Sequence, residues 1–480
     1  MPISEAGIST AETRVDNKVT AAMLVLISSL MVSSFIFHFL RDGYFVEQLS
    51  SDRGIILFIG LTVIPYTVTY YLFRKFISPI NRSLSAASST SSYFRLAYSL
   101  LKIALLSNAV IQVIIIFQVA TISAFSLGLT ILSLQPNAVL VSILFSYLGY
   151  KFVSWFRSSR DLTMIFIGIS FLLVAVATVI SDAANTLIFL LEDPWRMESQ
   201  NMLSNSGSDS EVASSNLKAD PRMRDIFLTI QFPLRIAFVF YWVATVMLLR
   251  KYSKSIGKLM FWTLVSSPLA TFVVASIFIY GGIGSPLIRG VMSSTFGLVA
   301  GVLFGLIFLT IARRLGKSGN KDSDPKAIVH GQNAKSNMIF NFLMMSVFGI
   351  ILFLVTSIPP NHIIDWVHVP YPPFADVIWS FLGFGAYLYS FGLFYSTISI
   401  SQDTRLRKSI HKLAMQEADM LNSLGSAQMK QEIQKKVAKL SKEHEEMLRE
   451  QTGVEQKFGE EEMKHYVDEV MQEVKRRHNP

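Results

Sequence analysis

The sequence predicts an all-α integral membrane protein: a bundle of about ten transmembrane helices followed by a C-terminal cytoplasmic helical tail. Three observations carry this reading. Only 16% of the 480 residues are charged and the mean hydropathy is +0.43, where soluble domains carry about 25% charge. Apolar runs of about 20 residues recur until the composition changes near Ser401, and that length crosses a roughly 30 Å hydrocarbon core at about 1.5 Å per residue. The Lys and Arg residues between the runs gather in alternate loops, as they do in a chain threaded through a membrane.

The runs lie at Thr20 to Leu40, Gly54 to Phe73, Leu96 to Ala120, Ser126 to Tyr150 and Leu162 to Leu191. They continue at Asp225 to Leu249, Leu259 to Tyr280, Leu287 to Ile311, Met338 to Ile358 and Phe374 to Ile398. Ser123 is almost the only break between the third and fourth, and the fifth is longer than a span requires. The first run is followed by Phe39-Leu40-Arg41-Asp42 and not by small residues, so it reads as a retained anchor and not as a cleaved signal peptide.

Orientation follows from the basic residues. One side collects Arg74, Lys75, Arg82 and Arg95, then Lys151, Arg157 and Arg160, then Arg250, Lys251, Lys254 and Lys258, then Arg313, Arg314, Lys317, Lys321, Lys326 and Lys335. The other side carries Arg289 alone after the seventh run, and no basic residue between the third and fourth or between the last two. Loops retained in the cytoplasm hold the excess, so both termini are expected there, in a multi-pass protein of the cell membrane. The net charge of +9 is accounted for by this placement, and no nucleic-acid partner is expected. The absence of Cys excludes disulfides, thiolate metal sites and thiol catalysis.

The chain divides into a cytoplasmic segment over residues 1–19, a transmembrane domain over 20–400 and a tail over 401–480. The external loop 192–224 includes Ser204-Asn205-Ser206-Gly207-Ser208-Asp209-Ser210, too polar to bury, and is expected to lack fixed structure. The cytoplasmic loop 312–337 has the same character and sets eight spans apart from a final pair. In the tail, Leu406, Ile410, Leu413, Met420 and Leu424 form one apolar stripe. Met429, Ile433, Val437, Leu440 and Met447 form a second, and Met463, Val467, Val470 and Val474 a third. Such narrow seams suit helix pairing: against the chain's own cytoplasmic loops, in a homodimer, or with a cytoplasmic protein partner. Gly425 and Gly453 interrupt the phase, as do Glu417 and His444, against one unbroken coiled coil.

Polar groups inside lipid are costly, so those within runs are candidates for function. Asp182 lies 21 residues past Asp161 and Arg235 lies 15 residues before Arg250, which places both in the outer half of the membrane with Asn185 and Gln231 nearby. A structural ion pair is the ordinary reading of such a couple; a ligand or proton site is the sharper one. Pro136 with Gln135 and Asn137, Pro233, and Pro268 after Ser266 and Ser267 mark breaks, where transport sites are often built although simple kinks are commoner. Ser293, Gly297, Gly301 and Gly305 recur every four residues and make a face for close helix packing. His362, Asp365 and His368, with His38 and Asp42 on the same side, are a weak divalent-metal candidate. Trp366, Pro370, Tyr371, Pro372 and Pro373 make interfacial anchoring the plainer explanation of that loop.

No phosphate-binding Gly-rich loop, HExxH or GxSxG occurs. His411 lacks the acidic setting of a phospho-acceptor, so neither kinase activity nor any other enzymatic activity is expected, and no cofactor. The segment Tyr150-Lys151-Phe152-Val153-Ser154-Trp155-Phe156-Arg157-Ser158-Ser159-Arg160-Asp161 and the tail entrance Ser401-Gln402-Asp403-Thr404-Arg405-Leu406-Arg407-Lys408 resemble uncharacterised polytopic membrane proteins of archaea with a sensor-like multi-span region. The resemblance covers the runs after Leu96 and the tail, and it implies an archaeal cell membrane. A non-enzymatic sensor-like or scaffold protein with an interacting tail is therefore the first functional expectation. A transporter or channel using the intramembrane polar residues and kinked helices is the second.

Overall fold

The computed structural model describes residues 17–41, 52–81, 92–122, 124–191, 197–199, 221–256, 258–280, 295–306, 330–357 and 372–402, with isolated positions at 288, 291–292, 308–309 and 428–429. Among the described residues it is helical, with a π-helical turn at Phe73–Ile77 after α2, apart from two three-residue strands. In chain order the elements are α1 (Asn17–Arg41), α2 (Asp52–Leu72), α3 (Ser92–Ile122), β1 (Ala124–Ser126), α4 (Leu127–Ser159), α5 (Leu162–Leu191) and β2 (Met197–Ser199). They are followed by α6 (Pro221–Ile256), α7 (Lys258–Tyr280), α8 (Thr295–Leu306), α9 (His330–Ser357), α10 (Pro372–Trp379) and α11 (Leu382–Gln402). Among the described residues, eight helices are long and apolar enough to cross a bilayer. The apolar parts of the two others, Phe232–Met247 in α6 and all of α8, are shorter.

Long apolar runs become helices because a backbone removed from water must satisfy its own N–H and C=O groups within the segment. α5 occupies the whole of its run. α3 ends at Ile122, and β1 (Ala124–Ser126), which precedes α4, pairs antiparallel with β2, Phe125 opposite Glu198. That pairing corrects the expectation for the loop 192–224: Met197–Ser199 is a strand, and from Pro221 the chain is already helical. The stretch 312–337, expected as a loop, overlaps α9, which begins at His330. The proline-marked sites lie inside continuous helices: Pro136 in α4, Pro233 in α6 and Pro268 in α7, with Pro65 in α2. Side chains support the backbone near them. Ser266 Oγ donates to Trp262 O at 2.7 Å, Thr271 Oγ1 to Ser267 O at 2.9 Å, and Asn137 Nδ2 to Ser133 O at 3.4 Å.

The chain forms two compact units. The first comprises residues 1–153 and 162–396. Within it, α3 shows how the helices are oriented. Leu96, Ile103, Leu106, Val110, Val113 and Phe117 are exposed along one face, while Phe94, Leu101, Ala104, Asn108, Gln112, Ile115 and Val119 are buried along the other. The helix is apolar towards its surroundings and carries its amides inward, the reverse of a helix that faces water. The last span is the most enclosed, with 94% of Asp376–Thr397 buried against 72% of the α9 span Phe340–Ser357.

Glycines allow these two to meet backbone to backbone. A Cβ on Gly385 would lie 2.7 Å from Phe353 N, and one on Gly392 would overlap Phe342 O. The small-residue face of α8 does pack on a helix: Cβ atoms on Gly301 and Gly305 would lie 3.0 Å from Ile351 Cα and 3.3 Å from Val347 Cγ1. Gly297 is also buried, and Ser293 lies outside the described residues. Tyr241 of α6 and Tyr389 of α11 share a hydrogen bond of 2.8 Å, flanked by Phe171, Phe304 and Phe308. Ser170 Oγ to Ala237 O at 2.8 Å joins α5 to α6, and Trp242 Nε1 to Val265 O at 2.9 Å joins α6 to α7.

The second unit comprises residues 154–161 and 397–480. Arg160 adopts the left-handed conformation, φ 56°, and its N–H returns to Phe156 O at 2.7 Å, ending α4. Trp155 Nε1 donates to Gln428 Oε1 at 2.9 Å, and both side chains are buried. The three apolar stripes of the tail lie outside the described residues, apart from Met429.

Candidate functional site

Three pairs of polar residues, each spaced one helical turn apart, converge in the first unit. They are Asn108 and Gln112 on α3, Ser133 and Asn137 on α4, and Asp376 and Ser380 at the start of the last span, and all six are buried. Residues four apart share one helix face, so each helix turns a polar notch in an otherwise apolar surface towards the same place. Gln112 Nε2 and Ser133 Oγ each donate to the Asp376 carboxylate, one to Oδ2 and one to Oδ1. Asn108 Nδ2 reaches Ser380 O at 3.5 Å.

The backbone is broken at this point. α10 ends at Trp379 and α11 begins at Leu382. Across the gap Ser380 N bonds Asp376 O at 3.0 Å, but Phe381 N turns back only three residues, to Ile378 O at 3.3 Å. Ser380 Oγ also donates to Asp376 O, at 2.9 Å. Asn108 thus serves a carbonyl at the break. Tyr66, next to Pro65 on α2, sets its ring centroid 4.9 Å from that of Phe381, tilted by 57°. Its hydroxyl lies near Asp376 and Ser380, without a partner at full hydrogen-bonding geometry among the described residues. Gly383 closes the floor, since a Cβ there would lie 2.7 Å from Asn137 Oδ1.

Two features give the cluster chemistry beyond packing. Asp376 is fully buried and is held by neutral donors alone; no Lys, Arg or His among the described residues compensates it. In addition, Asn108 Oδ1, Gln112 Oε1 and Asn137 Oδ1 are buried acceptors with no partner among the described residues. A buried carboxylate without a cation carries a large desolvation cost, and orphaned carbonyl oxygens add to it.

The residues singled out from the sequence are placed differently. Asp182 on α5 and Arg235 on α6 sit on helices that pack along their length, and both side chains are half-buried. Asp182 Oδ1 is buried and accepts no hydrogen bond from any described residue, Arg235 included. The side chains of Asn185 and Gln231 lie outside the described residues, as do His362, Asp365, His368, Asp42 and the His38 side chain. Among the described residues no group of three His, Cys, Asp or Glu side chains could hold a metal. Of Pro136, Pro233 and Pro268, it is Pro136 that adjoins the polar cluster, through Asn137. Asp376 was missed because it stands at the outer edge of its run, behind Pro372-Pro373, where a carboxylate reads as interfacial. Its signal was the matching turn-spaced polar pairs in the third, fourth and tenth runs.

Comparison with family models, with curated proteins and with solved structures finds no match.

Proposed function

We propose that this chain is a non-enzymatic membrane transport protein, a transporter or channel, whose conducted or coupling ion binds at Asp376 beside the break in the last span. The observation that carries the reading is the fully buried Asp376 carboxyl, held by Gln112 and Ser133 with no compensating cation among the described residues. Broken spans with polar side chains gathered at them are how membrane proteins build ion and substrate sites, and intramembrane carboxyls mark ion and proton pathways. The proposal takes the protein to have ten spans, counting α6 and α8, with both termini cytoplasmic by the distribution of Lys and Arg, in a cell membrane. An archaeal source is proposed from the sequence resemblance alone. Asp182 and Arg235 are secondary candidates.

The test is ion flux into proteoliposomes under imposed proton and sodium gradients, for the wild type, Asp376→Asn, Asp182→Asn and Arg235→Gln. Wild-type flux lost in Asp376→Asn supports the reading. An absence of flux under every gradient, from protein shown to be folded, opposes it.

A second reading, a sensor-like or scaffold protein, draws support from the Trp155–Gln428 bond, which attaches a tail residue to the cytoplasmic end of α4. α4 also carries Ser133 and Asn137, so a change at the polar cluster has a continuous helix through which to reach the tail. In this reading the tail pairs in a homodimer or docks a cytoplasmic partner. Mass and co-purification, measured with and without the residues after Ser401, distinguish an interaction module from packed structure.

A further inference from the structure

Resting on the transport reading above, we infer that the occupant of the Asp376 site is a proton, and that Gln112 is the side chain that accommodates both protonation states. The donor pattern argues for a proton over a metal cation. Both carboxylate oxygens already receive hydrogens, Oδ1 from Ser133 and Oδ2 from Gln112. A sodium ion would have to turn those hydrogens away to reach the oxygens, whereas a proton needs one remaining lone pair, and each carboxylate oxygen has about two.

The amide of Gln112 is suited to the change. Facing a carboxylate it presents its N–H, leaving Oε1 buried without a partner among the described residues. When a proton arrives, an O–H bond forms at Oδ2 and the acid becomes a donor. Rotation of the amide then offers Oε1 as its acceptor, and the orphaned oxygen is satisfied. On release the O–H bond breaks, the proton passes to water, and the amide returns. Asn108 Oδ1 and Asn137 Oδ1, also buried without partners among the described residues, lie along the same polar seam.

The surroundings contain few competing groups. From α2, Tyr66 is the titratable side chain that faces Asp376. α3 and α4 contribute Asn108, Gln112, Ser133 and Asn137. α1 and α9 pack on α10. Among their described side chains the ionisable one is Lys18, in the first turn of α1. The tyrosines of α11 begin with Tyr387, eleven residues beyond Asp376.

The experiment is infrared difference spectroscopy of the full chain in lipid films, titrated with pH and separately with sodium chloride. The wild type is compared with Asp376→Asn, Asp182→Asn and Ser133→Ala. The expected result is a protonated-carboxyl C=O band that titrates reversibly and is indifferent to sodium. It should be lost in Asp376→Asn, kept in Asp182→Asn and shifted in frequency by Ser133→Ala, which removes a donor but leaves the acid. A wild type with no titrating carboxyl band overturns the inference, and so does a band abolished by sodium, which would make the site a cation site. The two proposals fail separately. A titrating Asp376 band without flux removes transport and leaves the proton site. Flux that persists with no such band removes the proton site and leaves transport.

Discussion

Gln112 of α3 donates its side-chain N–H to the carboxyl of Asp376, a residue 264 positions later in the chain. This bond ties the first half of the bundle to its last and most enclosed span, and it joins two groups that apolar surroundings would otherwise penalise. Replacing Gln112 by Leu therefore removes a donor from a buried carboxyl and is expected to destabilise the protein by about 1–3 kcal/mol. Asp376→Asn removes the charge at constant shape and is expected to cost less. Thermal unfolding in detergent, followed by the monodisperse fraction, checks the order of the two.

Gly385 faces Phe353 N with no room for a methyl group, whereas Gly60 in α2 has open space on its Cβ side. Overpacking a tight interface costs typically about 1–3 kcal/mol, and Ala in an open helix position gains up to about 1 kcal/mol over Gly. Gly385→Ala should lower thermal stability and Gly60→Ala should hold or raise it. Equal effects would contradict the central packing of α9 against α11.

The lipid face of α3 is testable without any background substitution, because the chain has no Cys. Leu106 is 69% exposed and Phe117 66%, while Leu101 and Ile115 are fully buried. Spin labels on single Cys residues at 106 and 117 should collide readily with lipid-dissolved oxygen, and those at 101 and 115 should be shielded from it.

The Trp155–Gln428 bond predicts that Gln428→Leu, which strands a buried indole N–H at a cost of about 1–3 kcal/mol, loosens the attachment of the tail. A single Cys at Met429 should then react faster with a soluble thiol reagent than it does when Gln428 is kept. An unchanged rate would show that the bond does not hold the tail.

Much of the bundle was legible because hydropathy and the chemistry of lipid act on whole runs: α5 fills Leu162–Leu191, and α3 and α4 are separate helices, ending at Ile122 and beginning at Leu127. The small-residue face from Gly297 to Gly305 was legible for the same reason, since only close packing explains a four-residue recurrence of Gly. The centre was harder to read. The last span has the lowest hydropathy of the eight, 1.5, because Gly383, Gly385, Ser390, Gly392 and Ser396 face protein on every side and not lipid. Read alone, that is a weak span; read as composition, it is the signature of a central one. The polar cluster escaped for a different reason. Asn108, Gln112 and Ser133 are each unremarkable in a span, and only tertiary packing brings their turn-spaced pairs onto Asp376.

The most direct test of the central claim, that the Asp376 cluster is a site reached from water and not an inert polar core, uses Ser133→Cys and Ser380→Cys, each nearly isosteric with the native residue. The protein is reconstituted and a small water-soluble thiol reagent is applied to one side of the membrane and then to the other. The transport account predicts modification at both positions, reached from each side in turn and slowed at the pH that protonates Asp376. Thiols that stay unreactive from both sides, in protein that folds and inserts normally, would contradict it.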